Sequence, residues 1–156
     1  GYIDNQAPYT VVIGAHYDHL GFGAEGSLYR GEEKAIHNGA DDNASGVAIM
    51  LNLASKLKNA NKGNNYLFMA FSGEEMGLLG SNYFTKNATV DMANANYMLN
   101  MDMVGRLKQD STLAVYGVGT SPILKQVINA SNSRFKIITS SSQLRGTKWT
   151  FCWYQV

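Results

Sequence analysis

The run Thr10-Val-Val-Ile-Gly-Ala-His-Tyr-Asp18 is apolar and β-branched up to Ala15, then abruptly ionisable. An apolar run this short, rich in β-branched residues, reads as a buried strand. A long Gly-rich loop comes next, from Leu20 to about Asp42, and loops of that length in a compact domain are commonly functional. From Ala44 the period changes: Val47, Met50, Leu51, Ala54 and Leu57 recur at three- and four-residue spacing, which predicts a helix. The polar stretch Asn59 to Asn65 ends that helix, and Tyr66-Leu-Phe-Met-Ala-Phe71 reads as a second buried strand.

Further along, Ser72-Gly-Glu-Glu75 reads as a turn and Met76 to Lys86 as a helix. Tyr97–Met101, Thr112–Tyr116 and Phe135–Thr139 read as strands. Ser121-Pro122 opens another helix, with a hydroxyl placed to cap it and a proline in its first turn, and that helix carries Leu124, Val127 and Ile128. Strands alternating with helices imply an α/β sheet covered on both faces.

Composition narrows the function classes. At 156 residues and 45% hydrophobic content the chain is one domain at most, with enough apolar material for a sizeable core. Thirteen basic and twelve acidic residues give a net charge of +1 with no basic stripe, so nothing marks a nucleic-acid surface. No apolar stretch is long enough to span a membrane. The one cysteine, Cys152, has no internal disulfide partner.

Ligands of open α/β sheets gather beyond the carboxyl ends of the strands. Here the first strand runs into His16 and Asp18, the second into Glu74 and Glu75, and the third into Asp102, while Asp41 and Asp42 sit just before a helix. Histidine and carboxylate without thiolate suit a catalytic zinc, and carboxylates can bridge two ions. Adjacent Glu74 and Glu75 can divide the roles of base and ligand, and Asp18 can orient the His16 ring. Each piece alone also has a plain reading: Asp41–Asp42 as a helix cap, Glu74–Glu75 as charges at a helix start, His16-x-Asp18 as a surface turn. His19 and His37 have no fixed partner spacing and read as polar loop residues.

Taken together, Gly14-Ala-His-Tyr-Asp-His-Leu-Gly21, Asn38-Gly-Ala-Asp-Asp-Asn-Ala-Ser-Gly46, Phe71-Ser-Gly-Glu-Glu-Met-Gly-Leu-Leu-Gly-Ser81 and Asn100-Met-Asp-Met-Val-Gly105 resemble the co-catalytic zinc aminopeptidases related to bacterial leucyl aminopeptidase. Glutaminyl cyclases, glutamate carboxypeptidase II and the transferrin receptor ectodomain are more distant relatives. The resemblance implies a three-layer α/β/α fold on a mixed, mostly parallel sheet, incomplete at its C-terminus. It implies two Zn2+ ions and hydrolysis of the N-terminal peptide bond of peptides with a free N-terminus. His16, Asp42, Glu75 and Asp102 would hold the metals, Asp42 bridging them. Glu74 would be the general base, Asp18 the partner of His16, and Asp42–Asn43 a cis peptide. A non-catalytic binding domain and a glutaminyl cyclase are the alternatives on this scaffold. The resemblance also implies a secreted, periplasmic or cell-envelope setting.

The family's last ligand is a histidine late in the domain, and the histidines here are 16, 19 and 37. The expectation is therefore one well-held zinc, a second held weakly for want of a nitrogen donor, and little activity from this chain. Ser140-Ser-Ser142 starts a family-like loop, but Gln143 to Val156 reads as a departure from the family pattern, and both tryptophans and Cys152 fall within 149–156. Residues 1–142 are thus expected to form a partial catalytic domain and 143–156 an aberrant tail, the frame-shifted or mis-assembled end of a longer gene.

Overall fold

The structure is a computed structural model that describes residues 1–23, 26–59, 62–107 and 109–140, together with the backbone of 151–155. Its strands are β1 (Tyr2–Ile3), β2 (Thr10–His16), β3 (Asn65–Phe71), β4 (Ala95–Met101), β5 (Thr112–Tyr116), β6 (Lys136–Ser140) and β7 (Phe151–Gln155). Its helices are α1 (Gly46–Leu57), α2 (Leu79–Lys86) and α3 (Leu124–Ser131). The strands form one mixed sheet in the order β1-β3-β2-β4-β7-β5-β6. β2 runs parallel to both β3 and β4, and β4 parallel to β7, while β1 joins β3 antiparallel and β5 joins β7 antiparallel.

The crossover from β2 through α1 to β3 goes one way along the sheet, and that from β3 through α2 to β4 goes back. Because such crossovers are right-handed, the reversal puts α1 and α2 on opposite faces. α1 closes its face over a cluster of Ile13, Ala15, Met50, Tyr66, Phe68 and Met101. α3 lays Leu124 and Ile128 against Val115 and Val118 in a second cluster.

The expected strands are found, and β1 at the edge and β7 in the interior add to them. Some details differ from expectation. α1 begins at Gly46 rather than Ala44, because Asp42 (φ −103°, ψ 92°) and Asn43 (φ −137°, ψ 40°) leave helical geometry in the turn before it. Leu51 is 62% exposed; the inner stripe is Val47, Met50, Leu53, Ala54 and Leu57. α2 starts at Leu79, not Met76, because Gly77 and Leu78 have positive φ and donate to the Glu74 carbonyl in a closed turn. Ser121 does not cap α3 with its side chain: a turn through Pro122 and Ile123 intervenes, and the helix proper begins at Leu124.

The loop expected at Ser140–Ser142 lies outside the described residues except for the backbone of Ser140, and so does the divergent tail from Gln143 except for β7. The backbone of β7 takes an interior place between β4 and β5. A continuous apolar run such as Phe151-Cys-Trp-Tyr154 is what an interior strand carries.

The register fixes the site. His16 is level with Phe71 across β2 and β3, and Gly14 is level with Asn100 across β2 and β4. Two residues beyond that last pair, His16 and Asp102 stand side by side at one rim of the sheet.

Candidate metal centre

His16 is the last residue of β2 and is 2% exposed, so its ring is fixed by the sheet rather than by solvent. Its Nδ1 lies 3.1 Å from the carbonyl oxygen of Asp18. A carbonyl only accepts, so Nδ1 carries a proton and Nε2 is aimed into the rim. Around Nε2 lie Asp42 Oδ1 at 3.1 Å, Asp102 Oδ1 at 3.5 Å and Glu74 Oε2 at 3.9 Å.

Asp18 works differently from expectation. Its carboxylate is 3.7 Å from His16 Nδ1, and the ring is held by its main-chain oxygen instead. The carboxylate accepts the backbone N–H groups of Glu74 (3.2 Å) and Glu75 (3.3 Å), which clamps the turn carrying both glutamates onto the end of β2. That turn needs Gly73, whose φ of 67° is costly for any side chain with a Cβ.

Of the aspartate pair, Asp42 alone faces the rim. Asp41 turns away, accepting from Gly105 N at 2.8 Å and lying 3.7 Å from Arg106 Nε. The Asp42–Asn43 peptide is cis, as the resemblance implied. Asn43 is 2% exposed and joins α1 to the end of β4: its Nδ2 donates to Met101 O, and its Oδ1 accepts from Gly46 N and Met103 N. A side chain at Gly46 would collide with Asn43 and with the Met101 carbonyl, so the close approach of helix to strand requires glycine there. Sequence reasoning misses Asn43; the partners that tie it to β4 are main-chain groups 58 and 60 residues away, and such contacts leave no local signal.

The electrostatics call for a cation. Burial pushes the His16 pKa down, but Asp102, Glu74 and Asp42 outweigh it and raise it to about 9. Asp42 is shifted upward by burial, then by Glu75 and Asp102, against the opposing pull of His16 and His19. Glu74 is shifted upward by burial as well, His16 opposing and Asp102, Glu75 and Asp42 adding to it. His16 Nε2 and Asp102 Oδ1 are buried with no hydrogen-bond partner among the described residues. Orphaned buried polar atoms are costly unless an ion satisfies them. The donor set of imidazole and carboxylate, with no thiolate, fits zinc.

Ligating atoms of His16, Asp42 and Asp102 all lie within 4.8 Å of one another, and so do those of His19, Asp42 and Glu75. The four expected ligands are thus brought to one place, with Asp42 common to both groups. His19, a loop residue by its sequence, belongs to the second group; its position three residues beyond His16, on the loop leaving the same strand, is the available signal. His37 stays in the loop, its ring nitrogens meeting Ser27 Oγ at 2.6 Å and Gly21 O at 3.2 Å.

Comparison with known proteins gives the chain relatives of the same fold. Aminopeptidase YwaD of Bacillus subtilis is 33% identical over 99 residues, 63% of this chain and 19% of its own. A probable leucine aminopeptidase of Arthroderma otae is 40% identical over 106 residues, 64% of this chain and 27% of its own. The chain thus matches about a fifth to a quarter of the length of these curated relatives. Among solved structures, a zinc aminopeptidase from Bacillus subtilis superposes over 98% of this chain and 36% of its own, with TM-score 0.71 and 23% identity. A Zn-dependent exopeptidase from Parabacteroides distasonis covers 99% of this chain and 62% of its own, with TM-score 0.74 and 20% identity. A glutaminyl cyclase from Bacteroides thetaiotaomicron shares the fold at TM-score 0.67 and 19% identity, over 97% of this chain and 61% of its own. The family model for peptidase family M28 matches residues 2–148, spanning every element that builds the rim, and the chain belongs to that family.

Proposed function

We propose that this chain forms the metal-binding part of a zinc aminopeptidase, hydrolysing the N-terminal peptide bond of peptides with a free amino end. The observation that carries the reading is the convergence on His16 Nε2 of Asp42, Asp102 and Glu74, from three different elements, all within 3.9 Å. His16, Asp42 and Asp102 would hold one Zn2+, and Asp42 with Glu75 would hold a second. Bound zinc supplies Lewis-acid polarisation of the scissile carbonyl and makes a bound water more acidic.

The chain's own residues do the rest. Glu74 touches the cluster through Oε2 without filling either ligand group, which frees that oxygen to take a proton from water and pass it to the leaving amine. Its upward pKa shift moves it toward the range in which a carboxyl both accepts and returns a proton. Asp18 holds Glu74 in place by accepting its main-chain N–H. The negative rim suits a substrate that presents an ammonium group, the charge a free N-terminus carries.

The test combines zinc analysis of the purified chain with cleavage of aminoacyl-anilides before and after chelation. The expected result is bound zinc and a chelator-sensitive release of the aniline. A chain that binds zinc and cyclises N-terminal glutamine, leaving anilides intact, would assign the site to glutaminyl cyclisation instead. Zinc binding with neither reaction would favour a non-catalytic binding domain.

A further inference from the structure

We infer that His19 is a metal ligand, supplying this chain's own nitrogen donor to a second zinc site completed by Asp42 and Glu75. The inference rests on the zinc reading above and deepens it, since that reading leaves the second ion with carboxylates alone.

Three separate segments deliver the donors: His19 from the loop after β2, Asp42 from the turn before α1, and Glu75 from the turn after β3. Their ligating atoms nevertheless gather within 4.8 Å. His19 Nδ1 stands 2.7 Å from Glu75 Oε1. The ring is backed rather than free. A Cβ at Gly39 would come within 3.0 Å of His19 Cβ and Cγ, and the His37 ring lies 6.2 Å away, centroid to centroid. His19, Asp42 and Glu75 are each partly buried.

A plain ion pair between His19 and Glu75 explains less. It accounts for the His19–Glu75 contact alone and not for Asp42, whose carboxylate joins both within the same 4.8 Å. Four carboxylates meet at the rim, those of Asp42, Glu74, Glu75 and Asp102; the Asp18 carboxylate is already engaged by two main-chain N–H groups. Two divalent ions balance four carboxylates in full, whereas a single one leaves half of that charge uncompensated. Charge balance therefore favours two cations, and His19 is the second nitrogen placed to receive one.

The experiment is zinc and cobalt titration of the metal-freed full chain, with bound metal counted by elemental analysis. It is run on wild type, His19→Ala, His19→Gln and Asp102→Asn, with 15N shifts of the histidine rings recorded alongside. The expected result is two equivalents for wild type, the second shifting the His19 ring nitrogens. Both His19 variants should keep the first equivalent, which also reports that they are folded, and bind the second roughly 100-fold more weakly, at the upper end for even a group that only orients a ligand. Asp102→Asn should weaken the other equivalent and leave the His19 shift in place. If wild type binds a single equivalent, or both His19 variants keep two with unchanged affinity, His19 is only the ion-pair partner of Glu75 and the inference falls while the zinc reading stands. If wild type binds none, both fall.

Discussion

The two halves of the sheet are built alike and used differently. On one side β2, β3 and β4 end together, and each strand runs out into ionisable residues: His16 and Asp18, Glu74 and Glu75, Asp102. On the other side β5 ends in Tyr116 and runs on into Gly117, and α3 contributes Leu124 and Ile128 to an apolar cluster. The first half accepts electrostatic crowding, with the pKa values of Asp42 and Glu74 shifted upward and two buried atoms left orphaned among the described residues. Within the second half, charged groups meet at the surface, as Asp110 and Lys136 do. Crowded charge that a protein could have avoided points to use rather than to stability.

The sharpest way to break this contrast is Glu74→Gln. The variant should lose activity by ~10²–10⁴-fold, the usual worth of a general base, while zinc content stays unchanged. Its metal-free form should also be more stable to urea than wild type at neutral pH. Burial and neighbouring carboxylates raise the Glu74 pKa, so its ionised form opposes folding and a neutral amide relieves that. Equal activity in the two proteins would remove Glu74 from the mechanism.

Leu124→Ala probes the other half. Leu124 is 7% exposed among Val115, Val118 and Ile128, and its truncation should cost about 2–5 kcal/mol in denaturant unfolding. Zinc affinity measured below the unfolding transition should not change. A parallel loss of zinc would show that the halves are coupled, and the contrast would fail.

Asn43→Ala falls on the boundary between structure and chemistry. It would take the Asn43 side chain away from Met101 O and Gly46 N, at about 1–3 kcal/mol for each such buried group, and remove one contact of Met103 N. Because Asn43 ties the Asp42 turn to the strand that ends at Asp102, zinc affinity should fall roughly 10–100-fold as well. A loss of stability with unchanged zinc binding would make Asn43 a fold residue only.

These residues also mark how far the sequence can be read. The strands are legible because Thr10–Ala15 and Tyr66–Phe71 are short apolar runs whose meaning is local, and the rim comes with them because strand ends are where α/β sheets place ligands. The choice of Asp42 over Asp41 comes from family likeness; propensity does not distinguish two adjacent aspartates, and only the turn's non-helical backbone separates them. Leu51 fits a helical period and so reads as inward, yet the stripe on α1 rotates toward Leu53. His19, Asn43 and the amide-binding role of Asp18 are not legible, since each depends on partners 56 or more residues away, at Glu75, Met101 and Glu74. Long-range polar contacts carry no periodic signature.

The smallest effect belongs to Asp110→Asn. The Asp110 carboxylate accepts from the Thr112 hydroxyl at 2.6 Å and faces Lys136 Nζ at 3.2 Å, pinning the start of β5 beside β6. Thr112 first and then Lys136 hold its pKa below the ordinary value. A carboxylate with a lowered folded pKa stabilises the fold above its unfolded pKa, and the contribution fades as pH falls through the folded one. Wild type should therefore exceed Asp110→Asn slightly in melting temperature at neutral pH, and the gap should close in acid. Concentrated salt should remove only the Lys136 share, because a side-chain hydrogen bond is not screened as an exposed ion pair is. Zinc content should be the same in both proteins at neutral pH, since among the described residues nothing on this edge belongs to either ligand group. If Asp110→Asn instead released zinc, the outer edge would be part of the metal-binding half, and the division between the two sides of the sheet would have to be redrawn around β7.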